Sequence, residues 1–190
     1  MRWTIANILT LFRVALIPVI VTLYLAGASG YLTAGVFLLA GLTDWADGYL
    51  ARQRNEESPF GAFLDPVADK LMVSAVLVLM AADPQMRQQI FSPALFTIIV
   101  AIIIGREITI SALREWMAEL GSRGVVAVGW IGKVKTTLQF VAITVLLFAQ
   151  AGLQKGAVVF GELLLYTAGV LTLWSMFIYL RRAWPSLLEQ

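Results

Sequence analysis

Long apolar runs, broken by short polar stretches, set the layout of this chain. Hydropathy separates six of them, at roughly 7–26, 31–52, 61–82, 93–114, 132–150 and 157–180, each near the ~20 residues a helix needs to cross a bilayer. The expected fold class is an all-α polytopic membrane protein with six transmembrane helices, built as one domain over residues 1–190. Ser58-Pro59 and Ser92-Pro93 suit the N-cap and first position of the third and fourth helices. The stretches 53–58 and 82–92 read as short polar turns, the first of them closing an antiparallel helix hairpin. Four glycines within 121–132 mark a loop expected to move when substrate binds. No repeat, low-complexity tract or linker divides the chain further.

Composition sharpens the picture. At 59% hydrophobic residues and a mean hydropathy of +0.82, a soluble domain is excluded. The net charge is only +2, but with the N-terminus in the cytoplasm all Lys and Arg residues except Arg87 and Lys155 fall at inner helix ends and loops, twelve of fourteen. This is a strong positive-inside bias. It predicts a multi-pass protein of a bacterial-type cytoplasmic membrane, with the bilayer rather than nucleic acid as its partner. Trp3 suits the headgroup layer at the start of the first helix. Ala26-Gly27-Ala28 loosely resembles a signal-peptide cleavage site, but Arg13 within the apolar run and the need for a sixth span favour retention.

The candidate chemistry lies where apolar sequence gives way to acid. Asp44 and Asp47 close the second run, and Asp65 and Asp69 open the third. Side chains three or four apart share a helix face, so each pair projects two carboxylates one way. Across a hairpin, residues equally distant from the turn lie at equal depth, which sets Asp44 opposite Asp69 and Asp47 opposite Asp65. Gly48, Ala51, Gly61 and Ala62 would let the two backbones approach closely. Four crowded carboxylates do not all stay ionised without cations. The chain has no His and no Cys, so a hard-oxygen site for Mg²⁺, with Mn²⁺ as its substitute, is expected, and two ions ~4 Å apart would suit phosphoryl transfer. Two rival readings stand beside it: a solvated turn whose acids pair with Arg52, Arg54 and Lys70, and an ion or proton pathway.

A second polar group closes the fourth run and opens the fifth. Arg106 follows Ile102, Ile103 and Ile104 and precedes Glu107, while Arg114 follows on the same run and Lys133 and Lys135 open the next. One reading is an ion pair of Arg106 with Glu107 and snorkelling by Arg114. The other is a cationic pocket beside the aspartates, which calls for an anionic acceptor such as glycerol 3-phosphate. Asn7, Thr10 and Arg13 recur at helical spacing and read as capping and snorkelling, outside the core site. Thr172, Trp174 and Tyr179 of the last run read as packing and interfacial anchoring.

Asp44, Asp47, Gly48, Ala51, Arg52, Gly61, Asp65 and Asp69 fill every position of D-x2-D-G-x2-A-R-x8-G-x3-D-x3-D, and this stretch resembles the CDP-alcohol phosphotransferase family. The segment N-I-L-T-L-x-R containing Asn7, Thr10 and Arg13 is similar to that family's first helix, near its nucleotide site. GREITISALREWMAELG and WIGKVKTT resemble the members that use glycerol 3-phosphate. The resemblance implies a six-helix membrane enzyme of the CDP-alcohol phosphotransferase fold, usually a homodimer, that moves a phosphatidyl group from CDP-diacylglycerol to an alcohol and releases CMP. It further implies that Asp44, Asp47, Asp65 and Asp69 hold metal and that Asp69 is the general base. On the same reading CDP-diacylglycerol meets Asp44, Gly48, Arg52 and Gly61, and the acceptor phosphate meets Arg106, Arg114, Lys133 and Lys135. A transporter would not need the D-G-x2-A-R spacing. A prenyltransferase would carry two Asp-rich motifs where this chain carries one, and a purely structural protein would tolerate alanine at all four aspartates.

Overall fold

The computed structural model describes residues 5–54, 59–121, 130–152 and 155–188. Seven helices account for nearly all of them: α1 (Ile5–Leu25), α2 (Gly30–Arg54), α3 (Pro59–Ala82), α4 (Pro84–Gln89), α5 (Pro93–Glu119), α6 (Trp130–Gly152) and α7 (Lys155–Leu188). No strand occurs among the described residues. Each of the six apolar runs becomes one long helix, because a backbone in hydrocarbon must satisfy its own polar groups within the segment. Among the described residues, four candidate spans are long and apolar enough to cross a bilayer: Asn7–Leu25, Pro93–Glu119, Gly132–Gln150 and Lys155–Pro185. The chain is thus an all-helical, multi-pass membrane protein.

Side-chain bonds fix how the helices run. Arg13 near the start of α1 meets Asp44 near the end of α2, so these two are antiparallel. Thr10 and Tyr24, at opposite ends of α1, bond Asp65 in the first turns of α3 and Asp83 just past its end, so these two are parallel. Arg106 of α5 reaches Lys135's partner Glu107 and also Ser175 late in α7. One end of the bundle therefore gathers the start of α1 and α3, the end of α2 and α5, the start of α6 and the end of α7. That end carries the acids and the cations.

The stretch 82–92 departs from the expected turn. Asp83 caps a six-residue helix, its carboxylate accepting from the Gln85 amide at 2.8 Å with Pro84 at the first turn, and α4 results. Ser92 caps α5 as its sequence suggests, accepting from the Leu95 amide at 3.3 Å. The expected cap Ser58, the anchor Trp3 and most of the glycine-rich loop lie outside the described residues.

The main core is apolar and runs through α1, α2, α3, α5, α6 and α7, from Ile20 and Phe37 to Met80, Ile103, Leu146 and Leu165. Small residues bring the helices close: a Cβ on Gly41 of α2 would sit 2.2 Å from the ring of Phe140 on α6, and one on Gly169 of α7 would sit 2.9 Å from Ile99 on α5. Phe140 is in turn stacked on Phe37, ring centroids 4.8 Å apart. A smaller cluster of Ile110, Leu113, Met117, Tyr179 and Ala183 joins α5 to α7 at the charged end. Polarity is inverted relative to a soluble protein. Asn7, Thr10, Arg13, Arg106, Lys135 and Glu162 are buried, while Leu71, Phe91, Val170 and Trp174 stand exposed.

Candidate active site

Three carboxylates of the Asp-rich stretch meet α1 at the charged end. Asp44 is on α2, and Asp65 and Asp69 lie one turn apart on α3. The Arg13 guanidinium is fully buried, and its Nη1 donates to Asp69 Oδ1 and pairs with Asp44 Oδ1, each at 2.8 Å. Asp44 and Asp69 thus stand opposite one another, as the hairpin reading requires. Thr10 Oγ1, one turn earlier, donates to Asp65 Oδ1 at 2.5 Å, and Asn7 is buried on the same face. Burying a guanidinium is costly unless carboxylates face it, and here two do. The reading of Asn7, Thr10 and Arg13 as capping and snorkelling is therefore corrected: snorkelling would carry Arg13 to water, and instead it turns inward to the acids. The available signal was the three-residue spacing with an arginine inside an apolar run.

Asp47, Gly48 and Arg52 lie on the helical backbone of α2, with side chains outside the described residues. Gly61 is buried on α3, one turn before Asp65. Among the described residues Lys70 does not pair with an acid as the solvated-turn reading would have it; its ammonium bonds Ser111 of α5. A cavity of about 530 Å³ opens between α2, α3, α5 and α6, with Asp44, Asp69, Lys70, Glu107 and Thr137 on its walls. Asp44 and Asp69 keep 43% of their side-chain surface exposed. They are held from behind and open in front.

The cationic residues of α5 and α6 gather behind Glu107, the carboxylate that reaches the cavity wall, with α7 packed against them. Glu107 accepts from Arg106 Nη1 at 2.8 Å and from Lys135 Nζ. Arg106 Nη2 donates to Ser175 Oγ at 3.1 Å, and both Arg106 and Arg114 lie over the ring of Tyr179, at 5.7 and 5.6 Å. The charges of both arginines bear on Lys135. The ion pair of Arg106 with Glu107 is present, yet three cations face one carboxylate. The Nε atoms of Arg106 and Arg114 are buried without a hydrogen-bond partner among the described residues. Lys133 stands exposed on α6, and its carbonyl accepts from Thr136 and Thr137. The structure thus brings Arg106, Arg114 and Lys135 together and leaves Lys133 at the surface.

The aspartates suit a hard divalent cation by their chemistry, since all are oxygen donors, and Asp44 and Asp69 face one cavity and already hold positive charge from Arg13. Among the described residues no three acids close on one point as a finished metal cage, and Asp47 lies outside that set.

A model of CDP-alcohol phosphatidyltransferases matches residues 3–174, which span α1 through most of α7 and hold both polar groups. The chain belongs to the CDP-alcohol phosphatidyltransferase family. Its full length aligns with the full length of a Pectobacterium atrosepticum protein named CDP-diacylglycerol--glycerol-3-phosphate 3-phosphatidyltransferase, at 50% identity. A Haemophilus influenzae protein of the same name is 49% identical over all of this chain and 98% of its own. The protein of that name from Escherichia coli K12 is 47% identical, with both chains covered completely. Thr10 and Arg13 lie within the matched region, so the α1 contacts to the acids are made by residues of the phosphatidyltransferase domain itself.

Proposed function

We propose that this chain transfers the phosphatidyl group of CDP-diacylglycerol to glycerol 3-phosphate, giving phosphatidylglycerophosphate and CMP. The observation that carries the reading is a single cavity whose walls hold Asp44 and Asp69 and also Glu107, the carboxylate on which Arg106 and Lys135 converge beside Arg114. Full-length relatives at about half identity, named for this reaction, support it.

Asp44, Asp65 and Asp69, with Asp47, would hold Mg²⁺, or Mn²⁺ in its place, as two ions. When bound, the metal supplies positive charge that offsets the diphosphate of the donor and the charge on departing CMP. The chain's own residues do the rest. Arg13 and Thr10 fix the carboxylates in place from behind. Arg106, Arg114 and Lys135 bind the acceptor phosphate, with exposed Lys133 drawing anions toward them. Gly48, Arg52 and Gly61 meet the nucleotide and diphosphate. Asp69 takes the proton of the acceptor's primary hydroxyl as that oxygen bonds the β-phosphorus, and the bond from that phosphorus to CMP breaks.

On this reading α2 and α3, at 25 and 24 residues, also cross the bilayer, giving six spans and one domain. Both pack among the apolar spans and carry their charges near one end. The positive-inside bias sets that end at the cytoplasmic face of a bacterial inner membrane, where glycerol 3-phosphate and CMP exchange with water while the lipid tails stay in the bilayer. The proposed working unit is a homodimer.

The test is CMP release by purified protein in detergent with Mg²⁺ and CDP-diacylglycerol, comparing glycerol 3-phosphate with glycerol, serine and inositol phosphate. Release with glycerol 3-phosphate alone, lost on chelation and abolished in Asp69→Asn, is expected. Release with another alcohol would move the acceptor assignment, and a near-normal rate in Asp69→Asn would remove the base assignment.

A further inference from the structure

The face of α7 toward α5 and α6 is polar and buried. Thr172, Ser175 and Tyr179, spaced by three and four residues, point into the protein, while Leu173, Trp174 and Phe177 point out. Each inward residue has a partner on another helix. Thr172 Oγ1 accepts from Gln139 Nε2 at 3.2 Å, and Ser175 Oγ accepts from Arg106 Nη2 at 3.1 Å. The Ser175 hydroxyl is itself oriented, since it donates to the Thr172 carbonyl at 3.0 Å, which turns a lone pair toward Arg106.

Tyr179 supports two cations. Its ring lies 5.7 Å from the Arg106 guanidinium carbon and 5.6 Å from that of Arg114, both within the range at which the ring quadrupole attracts a cation. The ring is 3% exposed and packed with Ile110, Leu113, Met117 and Ala183, so it has little freedom to move. An aromatic face attracts a guanidinium without using its N–H donors. Nε of both arginines is accordingly buried with no hydrogen-bond partner among the described residues. Arg106 has Glu107, whereas Arg114 has no carboxylate partner among them. Two like charges held by one ring, with donors to spare, suit an anion with several oxygens.

We infer that Tyr179, assisted by Ser175, is a positioning residue: it holds Arg106 and Arg114 ready for the phosphate of the acceptor and so sets the affinity for glycerol 3-phosphate. This rests on the reading that these arginines bind that phosphate. Pre-ordering two long side chains removes an entropy cost that substrate binding would otherwise carry. The effect belongs to acceptor binding and not to the donor lipid.

The experiment is steady-state kinetics of the full-length protein in detergent with Mg²⁺, varying each substrate in turn. Tyr179→Leu is expected to raise KM for glycerol 3-phosphate about tenfold while KM for CDP-diacylglycerol stays within about twofold. Tyr179→Phe keeps the ring face and is expected to restore most of the affinity. Ser175→Ala is expected to raise the acceptor KM about threefold. An unchanged acceptor KM in Tyr179→Leu overturns the inference, and so does an equal rise for both substrates. Should Tyr179→Leu not purify as a folded protein, Ser175→Ala decides, and a wild-type acceptor KM there overturns it. Arg106→Gln and Arg114→Gln separate the two layers. If these raise the acceptor KM and Tyr179→Leu does not, the inference alone fails. If they leave it unchanged, the acceptor reading fails and the inference with it.

Discussion

Arg13 illustrates how one side chain can reorganise the meaning of a motif. Read along the chain it is a basic residue near the start of an apolar helix, where snorkelling is the ordinary outcome. In the folded chain it is buried and bridges Asp44 and Asp69, which come from two other helices. Removing it leaves two carboxylates facing each other with less positive charge between them. Because those carboxylates are partly exposed, the cost is smaller than for a fully buried pair, about 1–3 kcal/mol. Arg13→Gln is therefore expected to melt several degrees below the wild type in chelator, and Mg²⁺ is expected to narrow the gap by supplying the missing charge. Equal melting temperatures in chelator would show that the bridge does not stabilise the fold. That Asp44 faces Asp69 was legible, since helical spacing and hairpin symmetry set shared faces. The arginine that holds them was not, because its partners lie more than thirty residues away.

At the scale of elements, the caps were mostly legible and their consequences were not. Ser92-Pro93 opens α5 as its pattern suggests. Asp83-Pro84 has the same form, and the structure uses it to open α4 within what reads as a turn. Its carboxylate does more than cap: Oδ2 accepts from Tyr24 and from Gln150, each at 2.9 Å, and so ties α1 and α6 to the end of α3. These bonds lie at the bundle end away from the aspartates. Asp83→Ala is expected to lower stability by about 1–3 kcal/mol, since it frees two side-chain donors and one amide. Both KM values are expected to stay near wild type. A large change in either would show that the two ends are coupled. α7 was underread for the same reason as Arg13: its residues Ser175 and Tyr179 gain their role only by facing the arginines of α5.

At the scale of the whole molecule, apolar surface faces outward and polar side chains face inward, the arrangement a lipid solvent favours. On the six-span reading, the end of α7 returns to the side on which α1 starts. The chain lacks cysteine, so single cysteines report topology cleanly. Arg182→Cys is expected to react with an impermeant thiol reagent only from the cytoplasmic side, and Arg87→Cys only from the opposite side. Labelling of both from one side would overturn the six-span reading and the orientation of the aspartate end. The relation between the two polar groups also belongs to this scale. They are separated by a helix and a loop in sequence, yet one cavity of about 530 Å³ takes Asp44, Asp69 and Glu107 into its walls.

By itself the sequence determined the helical class, where each long helix begins to within about two residues, and that Asp44 stands opposite Asp69, while α5 and α7 run on past the apolar stretches that mark them. These follow from local physics: hydropathy sets the spans, and helical period with hairpin symmetry sets which acids face one another. Tertiary structure alone decided that Arg13 and Thr10 of α1 lie behind the acids, that Lys133 stands apart from Arg106, Arg114 and Lys135, and that Tyr179 carries two arginines. Those relations depend on how distant helices pack, and packing between helices is set by the shapes of facing side chains, which no local period records.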